Sequence, residues 1–124
     1  MNGIDFLADT NALIYLLAGD SCMSPYLQKN LSFSVISEME LLSYSGITQQ
    51  GEESIKSLFN DCTEISLTNE IKDKTIEIRK KYKTKLPDAI VAASSIVNDI
   101  PLITADKGFR QITELKLELI VPVM

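Results

Sequence analysis

Short apolar runs alternate along this chain with longer stretches whose apolar positions recur every three or four residues. That is the signature of strands interleaved with amphipathic helices. Ile4-Asp5-Phe6-Leu7-Ala8 reads as a buried strand and residues 12–17 as the helix after it, stopped by Gly19, with Asp9-Thr10-Asn11 at the changeover. Pro25-Tyr26-Leu27-Gln28 predicts a short helix, and residues 31–35 alternate apolar and polar as a strand does. Ser37 and Glu40 have the spacing of a capping box, which predicts that the next helix starts at Ser37. Gly46 closes that segment, and Thr48 caps a helix running through Ile55, Leu58 and Phe59. Residues 64–67 predict a short strand, and residues 68–82 a long helix with Ile71, Thr75, Ile78 and Tyr82 on one stripe. Pro87 suits a first helical position, and residues 89–97 are apolar on most sides, as in a buried helix. A strand at 101–104, a turn at 105–108 and a last strand at 118–123 complete the pattern. No tight hairpin signal joins two strands. The pattern therefore predicts an α/β fold, a mostly parallel central sheet flanked by helices.

Composition narrows this picture. At 124 residues the expectation is a single domain over 1–124. With 45% hydrophobic and 23% charged residues, a disordered chain is excluded. The apolar run at the start has no basic region before it and carries Asp5 and Asp9, unlike a signal peptide. No apolar run approaches the ~20 residues that span a bilayer, so a cytoplasmic protein with no membrane partner is expected. Cys22 and Cys62 have no metal-binding spacing and read as unpaired small apolar residues. A net charge of −5 argues against strong non-specific nucleic-acid binding. The chain has no histidine, which removes Ser-His-Asp and Cys-His mechanisms and the usual zinc sites. Carboxylates, hydroxyls, lysines or a hard metal ion remain.

Four acids stand out: Asp9, Glu40, Asp88 and Asp106. Singly, each is explained as a helix cap, a first-turn acid or a turn residue. Jointly they mean more, because strand carboxyl ends and the helix starts that follow share one edge of a parallel sheet, where ligands bind. Asp9 and Asp106 follow strands, and Glu40 and Asp88 are expected in first turns of helices at that edge. Such a cluster persists at neutral pH only if cations neutralise it or some members take up protons. Oxygen-only ligands select Mg²⁺ or Mn²⁺, which activate water and stabilise phosphoryl charge without a histidine.

The segment Ile4–Leu17, the stretches Ser34-Val35-Ile36-Ser37-Glu38-Met39-Glu40-Leu41 and Leu86-Pro87-Asp88-Ala89-Ile90-Val91-Ala92-Ala93, and Leu102-Ile103-Thr104-Ala105-Asp106-Lys107-Gly108-Phe109 resemble the four signature blocks of PIN-domain ribonucleases. They are most similar to the VapC-type toxins of toxin–antitoxin pairs. The resemblance implies a PIN-like three-layer fold and Mg²⁺ or Mn²⁺ held by Asp9, Glu40, Asp88 and Asp106. It implies Thr10, Asn11 and Thr104 as supporting residues, with the Asn11 amide orienting Asp9 or a water. It further implies cleavage of an RNA substrate, a homodimer and a protein antitoxin. The further acid often found near Gly108 is missing here, which ranks Asp106 below the other three. Glu38, two residues before Glu40, should point away from the site.

The basic run from Arg79 to Lys85 is the one concentration of positive charge. It reads either as a helix C-terminus decorated with cations or as an RNA-backbone contact through Lys80, Lys81 and Lys83, with Tyr82 as a stacking surface. A haloacid-dehalogenase-type phosphatase would need an acid where Asn11 stands, and a receiver domain would need a lysine before Pro122. Two alternatives remain open: a binding module on the PIN scaffold without turnover, and a free-standing RNA-processing nuclease.

Overall fold

The computed structural model describes residues 3–123. Strand β1 (Phe6–Ala8) leads into α1 (Thr10–Leu17), and a 3₁₀ turn (Ser21–Tyr26) leads to β2 (Leu31–Ser34). Then follow α2 (Val35–Leu42), α3 (Gln49–Asn60), β3 (Thr63–Ile65), α4 (Asn69–Lys81) and α5 (Leu86–Asn98). Strand β4 (Leu102–Thr104), a second 3₁₀ turn (Lys107–Gln111) and β5 (Leu117–Leu119) complete the described chain. The five strands form one sheet in the order β3-β2-β1-β4-β5, and every pairing is parallel. The chain begins in the middle, steps out through β2 to β3, then returns to place β4 on the other side of β1. Strand order thus reverses between β1 and β4, the position where open parallel sheets leave a crevice at their carboxyl ends.

The pleat sorts neighbouring residues to opposite faces. Leu7 and Leu102 join a core with Ile71 and Ile78 of α4 and Ala89, Ala92 and Ala93 of α5. Ala8 and Ile103 join another with Ala12 and Leu13 of α1, Leu41 of α2 and Phe59 of α3. The result is the expected three-layer α/β fold. Both faces being covered also explains why β2 is buried throughout despite its alternating sequence. Its serines are satisfied inside: Ser32 Oγ donates to the Phe6 carbonyl at 3.0 Å, and Ser34 Oγ accepts the Ile36 N–H at 3.1 Å.

That second bond corrects one expectation. Ser34, not Ser37, caps α2, so the helix starts at Val35 and Glu40 falls beyond its first turn, where Glu38 is the acid. The expected Pro25–Gln28 helix is instead the 3₁₀ turn before it, capped by Asp20, whose Oδ1 accepts the Cys22 N–H at 2.9 Å. The last strand is shorter than its apolar pattern, because Pro122 has no N–H to give the ladder and Val121 and Val123 stand exposed. Thr48 and Thr68 cap α3 and α4 as expected. Cys22 and Cys62 are unpaired. Among the described residues, no helix is long and apolar enough to cross a membrane.

Candidate active site

The crevice beside β1 and β4 opens into a cavity of about 200 Å³ whose walls include Asp9, Thr10, Asn11, Glu40, Asp88 and Asp106. The four acids arrive from four different segments, and they are held in different ways. Asp9 ends β1 and caps α1. Its Oδ1 accepts the Ala12 N–H at 2.8 Å, and its Oδ2 accepts the Thr104 hydroxyl at 2.5 Å. The same Thr104 oxygen accepts the Asp106 N–H at 3.0 Å, so one hydroxyl at the end of β4 fixes the carboxylate of Asp9 and the backbone of Asp106. Asp106 Oδ1 in turn accepts the Gly108 N–H at 2.7 Å, which curls the chain into its 3₁₀ turn.

On the α2 side, the Thr10 hydroxyl donates to Glu40 Oε1 at 2.6 Å and lies 2.8 Å from Ser37 Oγ. Thr10 has one proton and gives it to Glu40, so Ser37 is the donor to Thr10. Ser37 and Glu40 are three apart on α2 and share a face, which is why both reach Thr10. Ser37 is therefore a site support that capping logic misassigned. Its spacing to Glu40 was the right signal with the wrong cause. Glu38 does not line the cavity, as expected. Asn11 does, but its amide bonds neither Asp9 nor any other described residue; Ala12 and Thr104 hold Asp9 instead.

Burial separates the acids further. Asp9 is 8% exposed, Asp88 is half-buried, and Glu40 and Asp106 are exposed. Burial pushes the Asp9 carboxyl above its ordinary range, opposed by its hydrogen bonds from Thr104 and Ala12 and reinforced by the charges of Asp88 and Asp106. Burial also raises Asp88, helped by Asp106 and Glu40 and opposed by Lys85. None of the four acids belongs to a salt bridge among the described residues.

A cavity lined by carboxylate oxygens that repel one another fits a hard divalent cation. Among the described residues, however, no three Asp, Glu or Cys side chains converge closely enough to grip an ion as they stand. Mg²⁺ is commonly held by one or two carboxylates with waters filling its remaining positions, so the looser arrangement still fits that ion.

The basic run divides. Lys80 and Lys83 line a separate cavity of about 530 Å³ between the end of α4 and the start of α5. The Lys81 ammonium sits 5.5 Å from the Tyr82 ring centroid, and Tyr82 packs partly buried against the core. Tyr82 keeps part of its ring on the wall of the cavity that Lys80 and Lys83 line. Lys85, not singled out in the sequence, lies near enough to Asp88 to lower its pKa.

Comparison with known proteins bears on the family and the fold. Residues 6–115 match the family model described as the PIN domain. No curated protein matches the chain in sequence. A toxin–antitoxin complex from Klebsiella pneumoniae contains a chain 28% identical, aligned over 90% of this chain and 95% of that one, with a TM-score of 0.78. VapBC2 from Rickettsia felis, bound to a DNA fragment from its promoter, is 18% identical over 95% and 100% of the two chains, with a TM-score of 0.84. VapBC-1 from nontypeable Haemophilus influenzae is 21% identical over 94% and 98%, with a TM-score of 0.81. With its family model matched over most of its length and its four acids around one cavity, this chain belongs to the PIN-domain family.

Proposed function

We propose that this chain is a metal-dependent endoribonuclease and the toxin of a type II toxin–antitoxin pair, acting in the cytoplasm. One observation carries the reading: four carboxylates from separate segments line one cavity at the ligand edge of the sheet, with no salt bridge among the described residues to neutralise them. Asp9, Glu40 and Asp88 would hold Mg²⁺ or Mn²⁺, with Asp106 assisting. When bound, such an ion activates water and stabilises charge on a phosphoryl oxygen.

The chain's own groups have distinct tasks in this reading. Thr104 and the Ala12 N–H fix Asp9, while Thr10, braced by Ser37, aims Glu40. Asn11 keeps a free amide on the cavity wall for a phosphate oxygen or a water. Lys80, Lys81 and Lys83 supply backbone contacts to single-stranded RNA. The toxin role draws on the likeness to a chain of a toxin–antitoxin complex from Klebsiella pneumoniae; for this chain we assign a protein antitoxin that covers the acidic cavity, and a homodimer.

Purified protein should cleave RNA when Mn²⁺ is supplied, and Asp9→Asn or Asp88→Asn should abolish that cleavage. Undiminished cleavage by either variant would show that the site is wrongly assigned. The alternative is a binding module on the same scaffold without turnover, against which the four intact acids argue. Calorimetric metal binding beside no cleavage across many RNAs would establish that alternative.

A further inference from the structure

Next to the acidic cavity lies another of about 210 Å³, lined by Lys83, Thr84, Lys85 and Gln111 and sharing Asp88, Asp106 and Phe109 with it. We infer that this neighbouring cavity seats a second RNA phosphate, next along the strand from the one at the acids. The inference rests on the nuclease reading above. A strand leaving the acidic cavity across the shared wall enters this one directly.

Three features suit it to an anion. Neither Lys83 nor Lys85 forms a salt bridge among the described residues, so both ammonium groups are available. Helix α5 begins at Leu86, its N-cap Lys85 gives no side-chain cap, and Pro87 lacks an N–H, so the amides of Leu86 and Asp88 meet no capping side-chain oxygen. The Thr84 hydroxyl oxygen is buried with no hydrogen-bond partner, a situation that native folds rarely leave unexplained. Thr84 lines the cavity, so its hydroxyl is an unspent donor on that wall.

The loop is also held in shape. Arg79 Nε donates to the Thr84 carbonyl and Gln111 Nε2 to the Lys83 carbonyl, each at 3.2 Å. With both carbonyls engaged from outside, the segment keeps its acceptors occupied and its cations at the cavity. Asp88 and Asp106 on the shared wall repel a phosphate until a cation neutralises them. The second seat therefore fills more readily when the acidic cavity holds its ion, which couples strand binding to metal binding.

The test measures binding of a fluorescent dodecameric oligouridylate to the full chain, with Ca²⁺ in place of Mg²⁺ so that affinity is read without turnover. Lys83→Ala/Lys85→Ala should weaken binding at least about tenfold, the scale of losing hydrogen bonds to a charged group. It should also flatten the salt dependence by about 0.7, the slope carried by one single-strand phosphate. Lys29→Ala/Lys56→Ala removes the same charge away from both cavities and should change affinity less than about threefold, as expected of exposed charges. Thr84→Val, which deletes a hydroxyl bonded to nothing, should weaken binding while leaving Tm unchanged or higher.

Equal weakening by the two lysine pairs, or none by either, overturns the seat, and so does an occupant that is an acidic protein segment, since oligouridylate affinity would then not move. Unchanged binding by Thr84→Val with a lowered Tm overturns the hydroxyl's part. Failure of the nuclease reading looks different: the unaltered chain would cleave no RNA with Mn²⁺, whatever the binding titration gave.

Discussion

Asp9 and Glu40 face the same cavity and are held in opposite ways. Asp9 is buried at a strand end, with both carboxylate oxygens engaged by groups on α1 and β4. Glu40 stands exposed on α2, tethered by one hydroxyl. The difference assigns them different work. A carboxylate locked at the sheet edge gives the site a fixed origin, at a cost to the fold when it is charged. A carboxylate on a long exposed side chain can close on an ion at little cost. Any closing of the acids on an ion would come more easily from the exposed members than from Asp9, whose two oxygens are already engaged.

Neutralising the fixed member should have the largest effect. Asp9→Asn is expected to reduce Mn²⁺-dependent cleavage by at least ~100-fold, more than loss of an outer partner of a metal ligand does. Its effect on the metal-free fold should run the other way. The folded-state pKa of Asp9 is raised above the unfolded value of about 3.9, so the folded chain binds its proton more tightly than the unfolded one. The contribution of Asp9 to metal-free stability is therefore fully present below that unfolded value and is lost as pH rises through the window up to the raised value. Thermal melts across acid pH should show this loss, Asp9→Asn should remove it, and added Mg²⁺ at neutral pH should raise Tm. A Tm difference between Asp9→Asn and the unaltered chain that stays constant across that window would contradict the assignment of Asp9 as the strained acid.

The hydroxyl supports extend the contrast. Thr104→Val strips Asp9 of one bond and leaves the Asp106 N–H without its acceptor, so cleavage should drop roughly 10–100-fold and stability by roughly 1–3 kcal/mol. Thr10→Val frees Glu40 and leaves the buried Ser37 hydroxyl without its acceptor; cleavage should fall by no more than about tenfold and stability by about 1 kcal/mol, less than for Thr104→Val. Measured side by side in cleavage assays and melts, equal losses in both quantities would erase the distinction between a locked and a tethered acid.

Much of this was legible in the sequence, and the places where it was not have physical causes. Strand-then-acid placed Asp9 and Asp106 correctly, since a parallel strand's end is marked by the switch from apolar to small polar residues. Pro87 and Asp88 marked the start of α5 within one residue. Of the two signals for Glu40, the signature block and the capping box, the second fails. Ser34, read as the polar half of a strand alternation, ends that strand and caps α2, so the same three-residue spacing that suggested a cap instead aligns Ser37 and Glu40 toward Thr10. Lys85 was hidden inside a run of like charges. Only the turn between α4 and α5 separates a lysine beside Asp88 from one stacked on Tyr82.

The smallest expected effect tests how far Asp106 matters, the acid ranked last from the sequence. A Cβ built on Gly108 would stand 3.0 Å from Asp106 Oδ1, the oxygen that accepts the Gly108 N–H. The contact falls on a side-chain oxygen in an exposed turn, so the carboxylate can yield by a few tenths of an ångström. Gly108→Ala should therefore change stability by less than about 1 kcal/mol, within the range of Gly-to-Ala exchanges. If Asp106 helps hold the ion from that position, its displacement should weaken Mn²⁺ affinity a few-fold, visible as a shift in the metal concentration for half-maximal cleavage with little change in the saturated rate. If Asp106 only shapes the turn, the metal titration should overlay that of the unaltered chain. A loss as large as that of Asp9→Asn would reverse the ranking and make the rim, not the buried acid, the origin of the site.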